Sequence, residues 1–411
     1  MEQKKPLATF ISDVLVEMEK AKFSPETIQL YRKIFQRLIR MSTEMQKSVL
    51  DSELSKKFIS DSANRKTGKY CHSRYCLHSR CIKLLDSLQN KGSIDWSDTL
   101  KRGTDKPKTE AFLLLFDRFL QEIKMQDLKQ NTIDSYRNVI CKFLEYCEDT
   151  GCFTVDDIQK KDILLFIQSL RKTWNSGSLR TAASALRCFT LAFQETERLT
   201  TSVPKNLLRN RDIIPVLTET EQTSFKLILQ SEAINKRDKA IGYLSLEIGL
   251  RAVDIVNLKL LDIDWKCDSI HIVQQKTGQP LDIPLLLSFG NALFDYIRNE
   301  RPSSDSIFVF LRQNAPYLPI TTHAGCHKIL WKIFQKAGIR TNGELCGTRL
   351  MRHNAASKML ESGIPLPIIS SVLGHVNPDS ATVYLTTDEK HLVSCVLPLS
   401  ILKGKAGDQN V

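Results

Sequence analysis

The sequence predicts a mainly α-helical protein with one small β-hairpin in its C-terminal half. Two N-terminal stretches carry apolar residues at helical spacing, and neither shows strand-like alternation. Further on, 269–274 (SIHIVQ) and 280–285 (PLDIPL) alternate like strands on either side of the turn QKTGQ, which contains Gly278.

The chain has 411 residues, of which 42% are apolar and 25% charged, a balance that predicts compact cores and two or three domains. Three parts are expected. The first, 1–100, runs into the lysine-rich linker 97–109 (SDTLKRGTDKPKT); the second covers 110–200; the third, 212–411, follows the connector TTSVPKNLLRNRD. Apolar runs such as 112–116 are far too short to span a membrane, and the opening MEQKKPLATF has neither the apolar core nor the small-residue cleavage site of a secretory signal. Eleven cysteines without a regular framework fit a reducing cytosol, so the expected location is cytoplasmic. The net charge of +12 points to a polyanionic partner, a property that nucleic-acid, ribosomal and membrane-surface proteins share.

The first two parts read as an internal repeat. With an offset of 105, Thr27-Ile28 falls on Thr132-Ile133, Tyr31-Arg32 on Tyr136-Arg137, Ile34 on Val139, Leu38 on Phe143 and Ile39 on Leu144. Helix starts are expected near Ser24-Pro25 and Asn131. The shared T-I-x-x-Y-R string favours duplication over two unrelated amphipathic helices, and both parts should be small helical bundles.

In the third part Thr218-x-x-Glu221 is a capping box. A helix is expected over 236–248, stopped by Gly249, and another over 351–362, with Ala355, Ala356, Met359 and Leu360 on one face and Gly363 after it. Asn377-Pro378 should open a last helix that carries Tyr384.

The chemistry-bearing residues lie here. Arg251 sits just past a helix end and Lys276 at the hairpin tip. Arg349 and Arg352 are three apart, on one helix face. His375 lies between Gly374 and Asn377, 23 positions after Arg352 and nine before Tyr384. Each has an ordinary reading: Arg251 paired with Asp254, Lys276 solvated in a turn, the two arginines a basic helix face, His375 a cap, Tyr384 a core tyrosine.

Taken together, GLRAVDIVNLKLLDIDW, QQKTGQPLDIPL, RLMRHNAASKMLESG and VLGHVNPDSATVYLTTD, in that order and with those two spacings, resemble the tyrosine recombinase (phage integrase) family. The resemblance is strong over 212–390, and 110–200 resembles the family's helical, SAM-like core-binding domain. It implies a tyrosine recombinase catalytic domain at 212–411, preceded by the core-binding domain and a further N-terminal helical domain suited to accessory DNA sites. It also implies Tyr384 as the nucleophile that forms a 3′-phosphotyrosyl link, with Arg251, Arg352 and His375 holding the phosphate and Lys276 protonating the departing 5′ oxygen. Neither metal, ATP nor another cofactor is needed. Arginine suits the task because its planar fork pairs with phosphate through two hydrogen bonds and does not deprotonate. This chain departs from the family at Arg349, where the usual residue is histidine; a guanidinium can clamp phosphate but cannot readily take a proton.

The implied partners are double-stranded recombination sites, further copies of the chain as a tetramer on DNA, and an accessory directionality factor. The apolar tail LVSCVLPLSIL is suited to docking on a neighbouring protomer. Integration, excision or transposition of a mobile element is the favoured role, because the N-terminal domain exceeds what a chromosome- or plasmid-dimer resolvase of the Xer type needs. A DNA-relaxing topoisomerase and a catalytically silent DNA-binding regulator remain as alternatives.

Two further groups stand apart. Cys71, His72, Cys76, His78 and Cys81 are of zinc-ligand type, but cysteines five apart spread over different helix faces, so an ordinary helix without metal is expected. Lys69, Arg74, Arg80, Lys172, Ser176, Ser178, Arg180 and Arg187 are candidate DNA contacts, against the reading of a solvated face.

Overall fold

The computed structural model describes residues 6–63, 71–96, 106–205, 207, 214–320, 322–374 and 384–385. The chain divides into two compact units, residues 101–212 and residues 1–100 together with 213–411. Within the latter, the apolar core of 7–96 and that of 217–351 are separate clusters. No helix among the described residues is long and apolar enough to cross a membrane.

Residues 7–91 form α1 (Leu7–Lys20), α2 (Pro25–Glu44), α3 (Ser52–Ser60) and α4 (His72–Lys91). The start of α2 is set by Ser24, whose side chain accepts from Thr27 N at 3.3 Å, and by Pro25 in the first turn. Val14, Met18, Phe35, Leu38, Leu54 and Phe58 are fully buried where the four helices meet. The Cys/His cluster lies at the start of α4 and along it. His78 is buried against Phe58, with ring centroids 4.2 Å apart, and its Nδ1 lies 2.8 Å from the Phe58 carbonyl oxygen. Cys81 is buried in the core, while Cys76 is exposed.

The unit 101–212 holds α5 (Glu110–Met125), α6 (Gln130–Asp149), α7 (Lys160–Leu170), α8 (Ser176–Ala192) and the short α9 (Gln194–Glu197). Phe112, Phe119, Phe143 and Phe189 fill its centre, with Phe119 edge-on to Phe189 at 5.4 Å. Asn175 caps α8, accepting from Ser178 N at 2.8 Å.

From residue 214 the chain is mixed. The expected capping box is present: Glu221 N donates to Thr218 Oγ1 at 3.2 Å and Thr218 N to Glu221 Oε2 at 2.8 Å, opening α10 (Glu219–Gln230). The helix expected over 236–248 does stop at Gly249, but only Lys236–Tyr243 (α11) is regular; Leu244–Ile248 is a π-helical turn, a device that widens a helix near functional sites. After α12 (Ala252–Val256) come β1 (Ile263–Asp264), β2 (Ser269–Val273) and β3 (Pro280–Pro284), antiparallel in that order, with Ile270 opposite Ile283 and Ile272 opposite Leu281. These four point inward. The hairpin matches the sequence pattern with strands one residue shorter; β1 is too short to show alternation.

The remaining helices are α13 (Leu287–Asn299), α14 (His323–Lys336), α15 (Thr348–Glu361) and α16 (Leu366–Val372). α15 begins three residues before the expected 351. Beside the expected apolar face it also buries the polar His353, Asn354 and Ser357. The expected helix from Asn377-Pro378 and the tail LVSCVLPLSIL lie outside the described residues.

Gly249 decides how closely α15 approaches. It has φ 68°, and a Cβ there would lie 2.9 Å from Ala355 Cβ and 3.0 Å from Arg352 Cα. Gly249→Ala is expected to lose about 2–4 kcal/mol, from left-handed strain and overpacking together. Urea unfolding measures this, and a midpoint equal to the parent's would show that the backbone yields without cost.

Candidate active site

Three side chains from distant parts of the chain converge. Arg251 is placed by the start of α12, Arg352 by the second turn of α15, and Tyr384 packs on Ala356, Leu360, Ile369 and Leu373 with 5% of its surface exposed. The Tyr384 hydroxyl and the Arg352 guanidinium are hydrogen-bonded to one another. Arg352 Nη1 also donates to Gly249 O at 3.1 Å and Nη2 to Leu373 O at 2.8 Å, so its fork is fixed by backbone on both sides.

Arg251 is held by a different set. Its Nη1 donates to Gln274 Oε1 and its Nη2 to Gly374 O at 3.2 Å. Gln274 is almost fully buried and joins several elements at once. Its Nε2 donates to Leu373 O at 3.0 Å, and its Oε1 accepts from Thr277 Oγ1 at 2.8 Å. Thus the hairpin turn, the Arg251 guanidinium and the segment before His375 share one amide. Gly374 must be glycine here, since a Cβ would lie 2.2 Å from Gln274 Nε2. Lys276, next to Thr277, is exposed on the turn; His375 lies outside the described residues.

The charges bear on each other. Burial pushes the Tyr384 hydroxyl above the usual tyrosine range, and the Arg352 and Arg251 cations pull it back in part. Burial and the nearby Arg251 charge lower Arg352 to about 10, so it stays cationic at neutral pH. Asp254 stands beside both arginines. Its Oδ1 accepts from Gln275 N at 2.9 Å, its Oδ2 has no hydrogen-bond partner among the described residues, and burial raises its pKa against the pull of the two guanidinium groups. What results is a buried, cation-rich recess around one phenol, suited to a phosphodiester whose negative charge grows during attack.

Arg349 does not share the environment of Arg352. It is exposed on α15, and its charge acts on His353. His353 is 2% exposed, and its ring centroid lies 5.1 Å from that of Tyr384. Burial, then the Arg349 charge, lower His353 to about 4, so it is neutral at pH 7. A depressed histidine contributes stability that is complete above its ordinary value near 6.5 and is lost as the pH falls towards 4. His353→Leu is expected to remove that acid limb, on the order of 2–3 kcal/mol, from a plot of unfolding free energy against pH. An unchanged slope between pH 6.5 and 4 would contradict this.

Of the candidate DNA contacts, Lys69 lies outside the described residues. Arg74 donates to the Ala63 carbonyl, Arg80 lies 6.0 Å from the centroid of the Tyr31 ring, and Arg187 Nη2 donates to Pro204 O at 3.0 Å, so these three are tied to their own bundles. Lys172 and Arg180 are exposed, and Ser176 and Ser178 partly so. Ser178 lines a groove of about 420 Å³ between α6 and α8, and Arg180 an adjoining one. Sequence reasoning missed Gln274 as a site residue. The signal was its parity: Gln274 directly follows β2 and continues the buried alternation of Ile270 and Ile272.

Comparison with known proteins agrees with this geometry. The model of the phage integrase family matches residues 215–391, and that of the phage integrase N-terminal SAM-like domain matches 115–197. An integrase/recombinase of Sinorhizobium fredii is 29% identical over 322 residues, covering 77% of this chain and 76% of the relative. A second from the same organism is 30% identical over 190 residues, 45% of this chain and 97% of the relative. The tyrosine recombinase XerA of Pyrococcus furiosus is 27% identical over 303 residues, 72% and 97% of the two chains. Among solved structures, the XerH site-specific recombinase bound to palindromic difH substrate matches with a TM-score of 0.56 at 16% identity, covering 74% of this chain and 98% of that one. A lambda integrase dimer bound to a COC′ core site matches at 0.52 and 17%, covering 85% and 94%. With a relative aligned over nearly its whole length and the family model spanning the recess around Tyr384, the chain belongs to the phage integrase family of tyrosine recombinases, enzymes that cleave and rejoin DNA.

Proposed function

We propose that the chain is a site-specific recombinase of a mobile element, acting in integration, excision or transposition through a 3′-phosphotyrosyl intermediate at Tyr384. The observation that carries this is the hydrogen bond between the Tyr384 hydroxyl and Arg352, with Arg251 held beside them. A phosphodiester placed between the two guanidinium groups presents its phosphorus to the phenol. The Tyr384 oxygen bonds to phosphorus, the bond to the 5′ oxygen breaks, and Lys276 supplies the proton that the departing oxygen needs. The tyrosine proton passes to water or to the phosphate, because Arg349 cannot accept it. His375 donates a further hydrogen bond to the phosphate. In rejoining, a 5′ hydroxyl of the partner strand attacks the phosphotyrosine and frees Tyr384, so the bond energy is conserved.

The mobile-element role draws on the Sinorhizobium integrase/recombinases and on a structural match to the Tn1549 transposon integrase in complex with transposon right end DNA, with a TM-score of 0.51. The XerA relatives favour a second reading, dimer resolution. Two sites are joined by a tetramer, assembled in part through the tail at 392–402, with a directionality factor biasing the outcome.

A duplex carrying the recombination site with a nick just past the cleavage position tests the reading. The short 5′-hydroxyl fragment diffuses away after attack, so the protein–DNA adduct accumulates and survives denaturing electrophoresis. The same duplex and paired sites then separate the two roles: strand exchange between element ends supports the mobile-element reading, and exchange confined to a chromosomal or plasmid dimer site supports resolution. An absence of any adduct would leave only DNA binding.

A further inference from the structure

We infer that Gln274 is a positioning residue that ties proton delivery by Lys276 to the closing of the arginine pair on the phosphate. This deepens the proposed mechanism and rests on its assignment of Lys276 as the proton donor. The position is marked first by the strand pattern. Ile270 and Ile272 point into the core, and the same alternation calls for an apolar residue at 274. An amide stands there instead, 1% exposed, and a buried amide is costly unless its polar atoms are bonded. Here both are bonded, and every partner belongs either to the recess around Tyr384 or to the hairpin turn.

On one side stand the groups that hold the phosphate. Gln274 Oε1 accepts from Arg251 Nη1, and Nε2 donates to Leu373 O at 3.0 Å, the carbonyl that also accepts from Arg352 Nη2 at 2.8 Å. The amide thus meets one arginine directly and the other across a shared acceptor. On the other side stands the turn. The Gln274 backbone closes it, with N donating to Gln279 O at 2.9 Å and O accepting from Gly278 N at 2.8 Å. Thr277 Oγ1 donates at 2.8 Å to the same Oε1 that holds Arg251. A further tie, from Gln275 N to Asp254 Oδ1 at 2.9 Å, holds the turn against α12. Lys276 lies between these anchors, two residues after Gln274 and one before Thr277. A long, exposed side chain has many places to put its ammonium, so its worth as an acid depends on what fixes the turn beneath it. Movement of Arg251 onto a phosphate oxygen shifts the shared Oε1 and the turn together, which brings the proton donor to the 5′ oxygen when the phosphate is held.

The test is single-turnover cleavage by the full chain on two nicked duplexes, alike except that one carries sulfur in place of the bridging 5′ oxygen. With oxygen, the bond from Tyr384 to phosphorus forms, the bond from phosphorus to the 5′ oxygen breaks, and the Lys276 ammonium gives that oxygen its proton. With sulfur, the group leaves as a thiolate and needs no proton. Gln274→Met removes all three side-chain hydrogen bonds at similar volume. Its rate is expected to fall about 10^2-fold on oxygen and by about tenfold or less on sulfur, the remainder reflecting the slackened arginine. Thr277→Val cuts only the tie to the turn, at a partly exposed position that the fold tolerates. It should lose about fivefold on oxygen, the worth of one hydrogen bond, and nothing on sulfur. Equal losses on both duplexes, in either variant, would overturn the inference, because Gln274 would then brace the arginines alone; so would parent rates on both. Lys276→Ala is the control for the underlying assignment. If sulfur failed to restore that variant, Lys276 would no longer be the proton donor and the coupling would fall with it, whatever the Gln274 variant does.

Discussion

Tyr384→Phe is expected to abolish the covalent adduct, with single-turnover cleavage of the nicked duplex falling by about 10^4-fold or more, the scale seen when a nucleophile is removed. DNA affinity should stay within twofold, because the phenol is buried in its own recess and Arg352 keeps its two backbone acceptors, Gly249 O and Leu373 O. Folding should lose only about 1 kcal/mol, one hydrogen bond from a ring that keeps its packing on Leu360 and Leu373. Persistence of the adduct in this variant would assign the chemistry to another residue. A catalytically silent regulator predicts the opposite pattern, with no activity in the parent and no change on substitution.

The second large effect is expected at Arg352. Arg352→Ala removes the guanidinium nearest the phenol, takes the side-chain donor from Gly249 O and leaves Leu373 O with Gln274 Nε2 alone. Cleavage should fall by about 10^2–10^3-fold from weaker transition-state stabilisation alone, and stability should fall as well. Arg352→Lys discriminates between charge and geometry. A lysine keeps the cation but cannot bridge Gly249 O, Leu373 O and a phosphate at once, so it should recover less than about a tenth of the loss. Burst amplitude on the nicked duplex, alongside a urea midpoint, separates the chemical from the structural part. Full recovery by lysine would refute the two-pronged clamp.

These effects depend on interactions that only partly show in the sequence. The helix stop at Gly249, the Thr218–Glu221 capping box and the hairpin could be read because each is local: a φ requirement, a reciprocal hydrogen bond, a two-residue alternation. That Arg251, Arg352 and Tyr384 belong to one site was expected from the family resemblance of the strings that carry them. What stayed hidden is tertiary. The π turn at Leu244–Ile248 has no pattern of its own, and the burial of His353, Asn354 and Ser357 on α15 goes beyond the apolar face that the sequence shows. Sequence spacing also put Arg349 and Arg352 on one helix face, but one is exposed and the other is drawn inward by Gly249 O and Leu373 O, which lie 103 and 21 residues away. The role of Gln274 is likewise set by its partners Arg251, Leu373 and Thr277, not by the strand that it follows.

In the proposed mechanism one phenolic oxygen becomes bonded to DNA phosphorus. The most direct measurement of that bond is peptide mapping of the trapped adduct: nuclease trimming of the DNA, proteolysis and tandem mass spectrometry. A nucleotide remnant is expected on the peptide containing Tyr384, absent from Tyr384→Phe. A remnant on any other tyrosine or serine, or an adduct of unchanged yield in that variant, would contradict it.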